Sequence, residues 1–134
     1  MKMNLKFLVF IICTVLLMSC DAHLRVRKEL PITNSFSEGC LQDAIHDELQ
    51  NGRIEARTSN GLKYWAVSSD VCSFDVELED HLSQSGPAKI LILSKSVITD
   101  GFNRTAGNKE ISASENCIER LKPVIEAKCS SLVR

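Results

Sequence analysis

The chain has 134 residues, with 16 basic and 17 acidic side chains and a formal net charge of −1. This length suits a single domain, and the 44% content of hydrophobic residues is enough to build a core, which argues against intrinsic disorder. A net charge close to zero offers no electrostatic basis for binding nucleic acid, so we expect no nucleic-acid partner.

Residues 1–19 have the features of an export signal. Lys2 and Lys6 are the only charged residues in this segment, and residues 7–18 are almost wholly apolar. A basic start followed by a short apolar stretch is typical of a secretory signal peptide. The apolar stretch is shorter than the roughly 20 residues that a membrane-spanning helix needs. We therefore expect a signal peptide, with an N-terminal membrane helix as the alternative.

The signal ends in the tetrapeptide Leu17-Met18-Ser19-Cys20, which resembles the lipobox of bacterial lipoproteins. The resemblance covers residues 1–20 and implies cleavage just before Cys20, whose sulfur would carry a diacylglycerol. Two or more acyl chains are enough to hold a protein stably on a membrane. The alternative is ordinary cleavage after Ser19 or Ala22, which would release a soluble secreted or periplasmic protein.

The residues after Cys20 bear on where the protein would reside. In enterobacterial lipoproteins an Asp directly after the lipidated Cys is associated with retention in the inner membrane, and Asp21 occupies that place. Residues 20–34 show no clear period, so we predict a lipidated N-terminus and tether there. Arg25, Arg27 and Lys28 could contact anionic headgroups, or the segment could be a solvated linker. Loss of Lys2 and Lys6 with the signal leaves 14 basic and 17 acidic residues, a net charge of −3.

Four cysteines remain after the signal and Cys20 are set aside, namely Cys40, Cys72, Cys117 and Cys129. An even number of cysteines in an exported domain predicts two disulfides. A zinc site is the alternative, but the sequence has no Cys-x-x-Cys and no clustered Cys and His. We therefore predict disulfides, with no metal and no cofactor.

Residues 35–134 are predicted to form one domain. Apolar spacing predicts a helix over 37–51. A hairpin follows, with strands 53–58 and 62–68 around Asn60-Gly61. Its two-residue turn places Ala56 opposite Trp65 and Ile54 opposite Val67, and these four share the buried face.

The second half of the domain is predicted to contain two more strands and a helix. Strand 72–79 alternates apolar and polar residues, and strand 89–98 is apolar on both faces. Residues 100–108 are predicted as a loop. A helix then starts near Ser112 with a capping box, and Pro123 should kink or split it.

The predicted order is α-β-β-β-β-α, an α+β fold in which two helices cover one face of a four-stranded antiparallel sheet. In this arrangement the start of the first helix lies beside the end of the second. The starts of the third strand and of the second helix meet at the opposite edge. We therefore predict the disulfides Cys40–Cys129 and Cys72–Cys117.

The sequence offers little catalytic chemistry, and we predict no catalytic residue and no enzyme activity. His46 is followed by two acids, but adjacent residues on a helix point apart, and His81 lies at a strand end. Asp75, Glu77 and Glu79 are spaced by two, as on the solvated face of a strand. Asn103-Arg104-Thr105 is a glycosylation sequon whose use the sequence does not settle.

Two functional hypotheses follow. The first is a non-catalytic lipoprotein that binds a protein partner in the periplasm, through an outer sheet surface containing Tyr64, Leu91 and Leu93. The second is a soluble secreted or periplasmic protein that acts as an inhibitor, an immunity-type protein or a small-molecule-binding domain.

Overall fold

The computed structural model describes residues 4–18, 21–32, 36–83, 86–100 and 102–129. These residues form an α+β fold with one five-stranded antiparallel sheet in the strand order β1-β5-β4-β3-β2. The elements in chain order are α1 (Leu5–Met18), β1 (Ala22–Ile32), α2 (Glu38–Glu48), β2 (Arg53–Ser59), β3 (Leu62–Ser68), β4 (Ser73–Ser83), β5 (Gly86–Thr99) and α3 (Arg104–Cys129).

The prediction of four strands and two helices is therefore too low in both counts. The additional helix is α1, which lies within the predicted signal. Among the described residues, no helix is both long and apolar enough to span a membrane.

The additional strand is β1, which occupies most of the segment that we predicted as a tether. Val26, Leu30 and Ile32 are buried on its inner side, in alternation with exposed residues. Lys28 also points to this side and breaks the apolar pattern, because its Nζ lies 3.5 Å from Glu115 and 3.6 Å from Glu119 of α3. Because of this inward lysine, the sequence of β1 does not show a regular alternation of apolar and polar residues.

The hairpin of β2 and β3 has the predicted register. Ala56 lies opposite Trp65 and Ile54 lies opposite Val67. Asn60 and Gly61 have φ angles of 51° and 78°, as a type I′ turn requires. The turn and the burial of Trp65 and Val67 therefore agree on one pairing.

Helices α2 and α3 cover one face of the sheet, which we call the inner face. The main core residues contributed by the sheet are Val26, Leu30, Ile32, Trp65, Val67, Phe74, Val76, Leu91 and Leu93, and the helices add Leu41, Ile45, Ile118, Leu121 and Ile125. The core thus lies between the inner face and the two helices.

Helix α2 begins as predicted but ends at Glu48 rather than near residue 51, and helix α3 begins earlier than predicted. Helix α2 is capped by Ser37, whose hydroxyl accepts a hydrogen bond from the Cys40 amide at 3.3 Å. Helix α3 begins at Arg104, inside the predicted loop, and continues through Pro123 as one helix. Its first turns carry few apolar residues, so a search for an apolar stripe misses them.

One disulfide links the two helices to each other, and a second links α3 to the segment before β4. Cys40–Cys129 joins the first turn of α2 to the last turn of α3, with a Cα–Cα distance of 5.2 Å. Cys72–Cys117 joins the residue before β4 to the middle of α3, with a Cα–Cα distance of 6.6 Å. Both bonds have the predicted connectivity.

Candidate binding site

The outer face of the sheet is the face opposite to α2 and α3. Three neighbouring cross-strand rows run over it: Arg57, Tyr64, Glu77 and Ile92; Glu55, Ala66, Asp75 and Ser94; and Arg53, Ser68 and Ser73. Strand β1 extends these rows with Glu29 beside Ile92 and Arg27 beside Ser94. Most of these side chains are polar or charged, in contrast to those of the inner face.

The predicted partner surface is wrong for Leu91 and Leu93. Both leucines are 0% exposed and lie on the inner face, under the helices. The outer face receives Ile90 and Ile92 instead, since neighbouring residues of a strand point to opposite sides. In a run of four apolar residues, alternation alone does not indicate which pair faces the helices.

Tyr64 does lie on the outer face, where it is half-buried. It lies opposite Arg57 of β2 and Glu77 of β4. Together with Leu62, Asp75 and Glu77, it lines a cavity of about 310 Å³ near the hairpin turn. The predicted residue is therefore placed where a partner could contact it.

A larger cavity of about 530 Å³ lies in the adjoining part of the outer face. The polar and charged residues that line it are Arg53, Glu55, Arg57, Ser68, Ser73, Asp75, Lys95 and Ser96. Guanidinium groups and hydroxyls can donate hydrogen bonds to carboxylates and other anionic groups. The lining therefore suits a polar ligand or a charged partner surface.

The two arginines of this cavity differ in whether they already form an ion pair with an acidic side chain. Arg57 donates a hydrogen bond to Glu55 at 3.0 Å, and this bond raises the pKa of the guanidinium. Arg53 makes no ion pair within the described part of the chain. Arg53 is therefore the arginine of this cavity that is available to an incoming anion.

Asp75 is the acidic side chain of the cavity. The pKa of its carboxyl is raised because neighbouring protein atoms displace water from it, and Lys95 and Arg57 oppose this effect. Lys95 is itself engaged, since its Nζ donates to the Ser73 hydroxyl at 2.7 Å and lies 3.1 Å from Glu110. Asp75 is exposed on the outer face, where a cationic partner group can reach its carboxylate.

A contact that sequence reasoning missed joins His23 of β1 to Ser96 of β5. The His23 Nε2 and Ser96 Oγ atoms are 2.6 Å apart. A serine nucleophile also needs its histidine oriented by a third group. No hydrogen bond from the other ring nitrogen of His23 exists within the described residues, and the pair is exposed. The contact joins β1 to β5 at the exposed surface of the sheet.

The other residues that the sequence offered for chemistry lie on different elements of the fold. His46 is exposed on α2, and His81 lies in β4, away from it in the fold. The described residues contain no group of three or more His, Cys, Asp or Glu side chains that could hold a metal ion. Asn103 of the sequon lies just before α3, where its amide donates to Asp100 at 3.2 Å. Cys20, the predicted lipidation site, lies outside the described residues.

Comparisons with known proteins do not assign a family. No protein-family model matches the chain, and no curated protein sequence matches it. Among solved structures, the chain is similar to the crystal structure of TTHA0849 from Thermus thermophilus. That match has 10% identity and a TM-score of 0.37, and covers 79% of this chain and 98% of the other. A similarity this low carries no argument about function.

Proposed function

We propose that the protein is a bacterial lipoprotein, anchored through Cys20, whose exported domain binds a partner through the outer face of its sheet. The domain acts by contact and not by catalysis. The anchor is supported by the lipobox-like sequence Leu17-Met18-Ser19-Cys20 after a basic and apolar segment. Asp21 favours the inner membrane as the site of anchoring.

One structural observation carries the binding proposal. The helices bury the inner face, whereas the outer face carries a cavity of about 530 Å³ lined by Arg53, which makes no ion pair within the described residues, and by the exposed carboxylate of Asp75. A surface of this kind gains from a partner that brings complementary charges, and electrostatic complementarity supplies specificity. Tyr64 adds an amphipathic aromatic side chain of the type enriched at interfaces.

The experiment compares three forms of the full chain in a bacterial host supplied with a labelled fatty acid. The native chain and Cys13→Ser should incorporate label, because Cys13 leaves with the signal, whereas Cys20→Ser should not. In the same cells, a photo-crosslinking residue at Tyr64 is compared with one at Lys109, which is exposed on α3.

The expected result is label that depends on Cys20, together with one discrete crosslinked product from position 64 and none from position 109. Equal labelling of native chain and Cys20→Ser contradicts the anchor. Equal or absent crosslinking at the two positions contradicts the outer face as the binding surface.

A further inference from the structure

The exposed apolar side chains of the domain are unevenly distributed. Outside α1, the exposed large hydrophobic residues within the described part of the chain are Leu62, Val71, Ile98 and Phe102. Leu62 lies at the hairpin turn of β2 and β3. The other three lie at the opposite end of the sheet, where β1, β2 and β4 begin and where β3 and β5 end. We call this end of the sheet the anchor edge.

The three exposed apolar residues at the anchor edge come from two connections and the end of one strand. Val71 is 57% exposed and lies in the connection between β3 and β4. Ile98 is 71% exposed and points away from the core near the end of β5, and Phe102 is 82% exposed in the connection between β5 and α3. Because β4 and β5 are neighbours in the sheet, Val71 before β4 lies at the same end of the sheet as Ile98 and Phe102.

The anchor edge is also where the proposed lipid must sit. Strand β1 begins at Ala22, opposite Thr99, and only Asp21 separates Ala22 from Cys20. Two residues of extended chain span at most about 7 Å. A diacylglycerol on Cys20 would therefore hold the anchor edge within a side chain's reach of the membrane surface.

The polar groups at this edge do not prevent such a contact. Asp100 accepts hydrogen bonds from the amides of Phe102 and Asn103 at 3.1 and 2.9 Å, and Asp70 accepts one from Asn51 at 2.7 Å. Arg104, at the start of α3, makes no ion pair within the described residues and can meet a lipid phosphate. Asp100 is thus occupied within its own turn and Asp70 by Asn51 of the connection between α2 and β2, while Arg104 is available.

From these observations we infer that the anchor edge is a membrane-contact surface, with Val71, Ile98 and Phe102 inserted among the lipids next to the acylated Cys20. The inference rests on the proposed lipidation. The occupant is the bilayer itself, because the length of chain after Cys20 brings no other surface so close. The end of the sheet then contacts the membrane. The plane of the outer face runs parallel to the membrane normal, so this face stays accessible to a partner.

The test uses the lipidated full-length protein reconstituted in vesicles whose acyl chains are brominated, since bromine quenches tryptophan on contact. Ile98→Trp is compared with Leu62→Trp, because both native side chains are 71% exposed and lie at opposite ends of the sheet. Phe102→Trp provides a second probe of the anchor edge. The buried Trp65 is common to all three variants and is measured in the parent protein.

Mass spectrometry of the reconstituted protein comes first and separates the two proposals. With acylated Cys20, Ile98→Trp and Phe102→Trp should lose emission in brominated vesicles relative to non-brominated ones, and Leu62→Trp should match the parent. Acylated protein with no loss at position 98 or 102, or with the same loss at position 62, overturns the membrane contact alone. A bare Cys20 thiol overturns the proposed function and this inference with it.

Discussion

Gly107 allows α3 to pack close to the ends of β1 and β5. A Cβ atom at this position would lie 2.3 Å from Cγ2 of Thr99 and 2.9 Å from Cδ1 of Leu24. Thr99 is buried and has little room to move. The missing side chain therefore sets the distance between helix and sheet at this end of the domain.

We expect Gly107→Ala to destabilise the domain by roughly 1–3 kcal/mol, as overpacking does, although alanine is the better helix former. Gly39→Ala is the matched control, because a Cβ there would meet nothing closer than Ser37 Oγ at 3.9 Å. That change should stabilise the protein by about 0.4–1 kcal/mol. Urea unfolding of both variants measures the difference, and a Gly107→Ala protein as stable as the native one would contradict the close packing.

Asp75 makes stability depend on pH in a defined direction. Its pKa in the folded protein is raised by loss of hydration, so folding disfavours the charged form. The free energy of unfolding should be unaffected by this group below its unfolded pKa of about 4 and should fall as pH rises through the folded pKa.

Asp75→Asn removes this dependence. We expect the variant to become more stable relative to the native protein between pH 3 and pH 7, with little difference between the two at the acidic end. Urea unfolding at a series of pH values measures this difference. A difference that stays constant across the series, or that changes in the opposite sense, would show that Asp75 is not the titrating group.

Among the elements, β1 changes the picture of the protein most, because it turns a predicted linker into an edge strand. Edge strands expose unpaired backbone groups that can pair with other chains. Strand β1 carries the usual protections, since Pro31 lacks a donor and Arg25 and Arg27 place charge on its exposed side. Arg25 and Arg27, which suggested contact with lipid headgroups, can thus also keep this edge strand from pairing with other chains.

A pair of alanine substitutions tests whether β1 belongs to the folded domain in solution. Val26 is 7% exposed in the core, and Val26→Ala should cost roughly 2 kcal/mol of stability. Arg25→Ala is the neighbouring control on the outer side and should change stability by less than about 0.5 kcal/mol. Urea unfolding gives both values. A flexible tether predicts no effect from either substitution.

For the whole molecule, the local sequence signals of helices, strands and turns, together with the alternating direction of successive elements, were enough to predict much of the fold. The Asn60-Gly61 turn and the burial of Trp65 and Val67 specify the hairpin, and strand order specifies which cysteines meet. The sequence could not reveal β1, because an inward lysine is satisfied only by acids on a distant helix.

The candidate site was less accessible to sequence reasoning. Tyr64 could be assigned to the outer face from the hairpin register, but the orientation of Leu91 and Leu93 depends on where the helices pack. The cavity with Arg53, Ser73 and Asp75 is lined by residues of β2, β3, β4 and β5, so no local motif marks it. The His23–Ser96 contact likewise requires the pairing of β1 with β5.

The pairing of β1 with β5 also determines the order in which the molecule can be completed. Ala22 lies opposite Thr99, so the earliest strand to leave the ribosome has a partner that is made last among the strands. Contacts between such distant parts of a chain slow folding. The hairpins β2-β3 and β4-β5 join neighbouring segments of the chain, whereas β1 has no strand partner until β5 has been made. Docking of this first-made strand therefore has to wait for β5, and α3, which packs against both strands, is made later still.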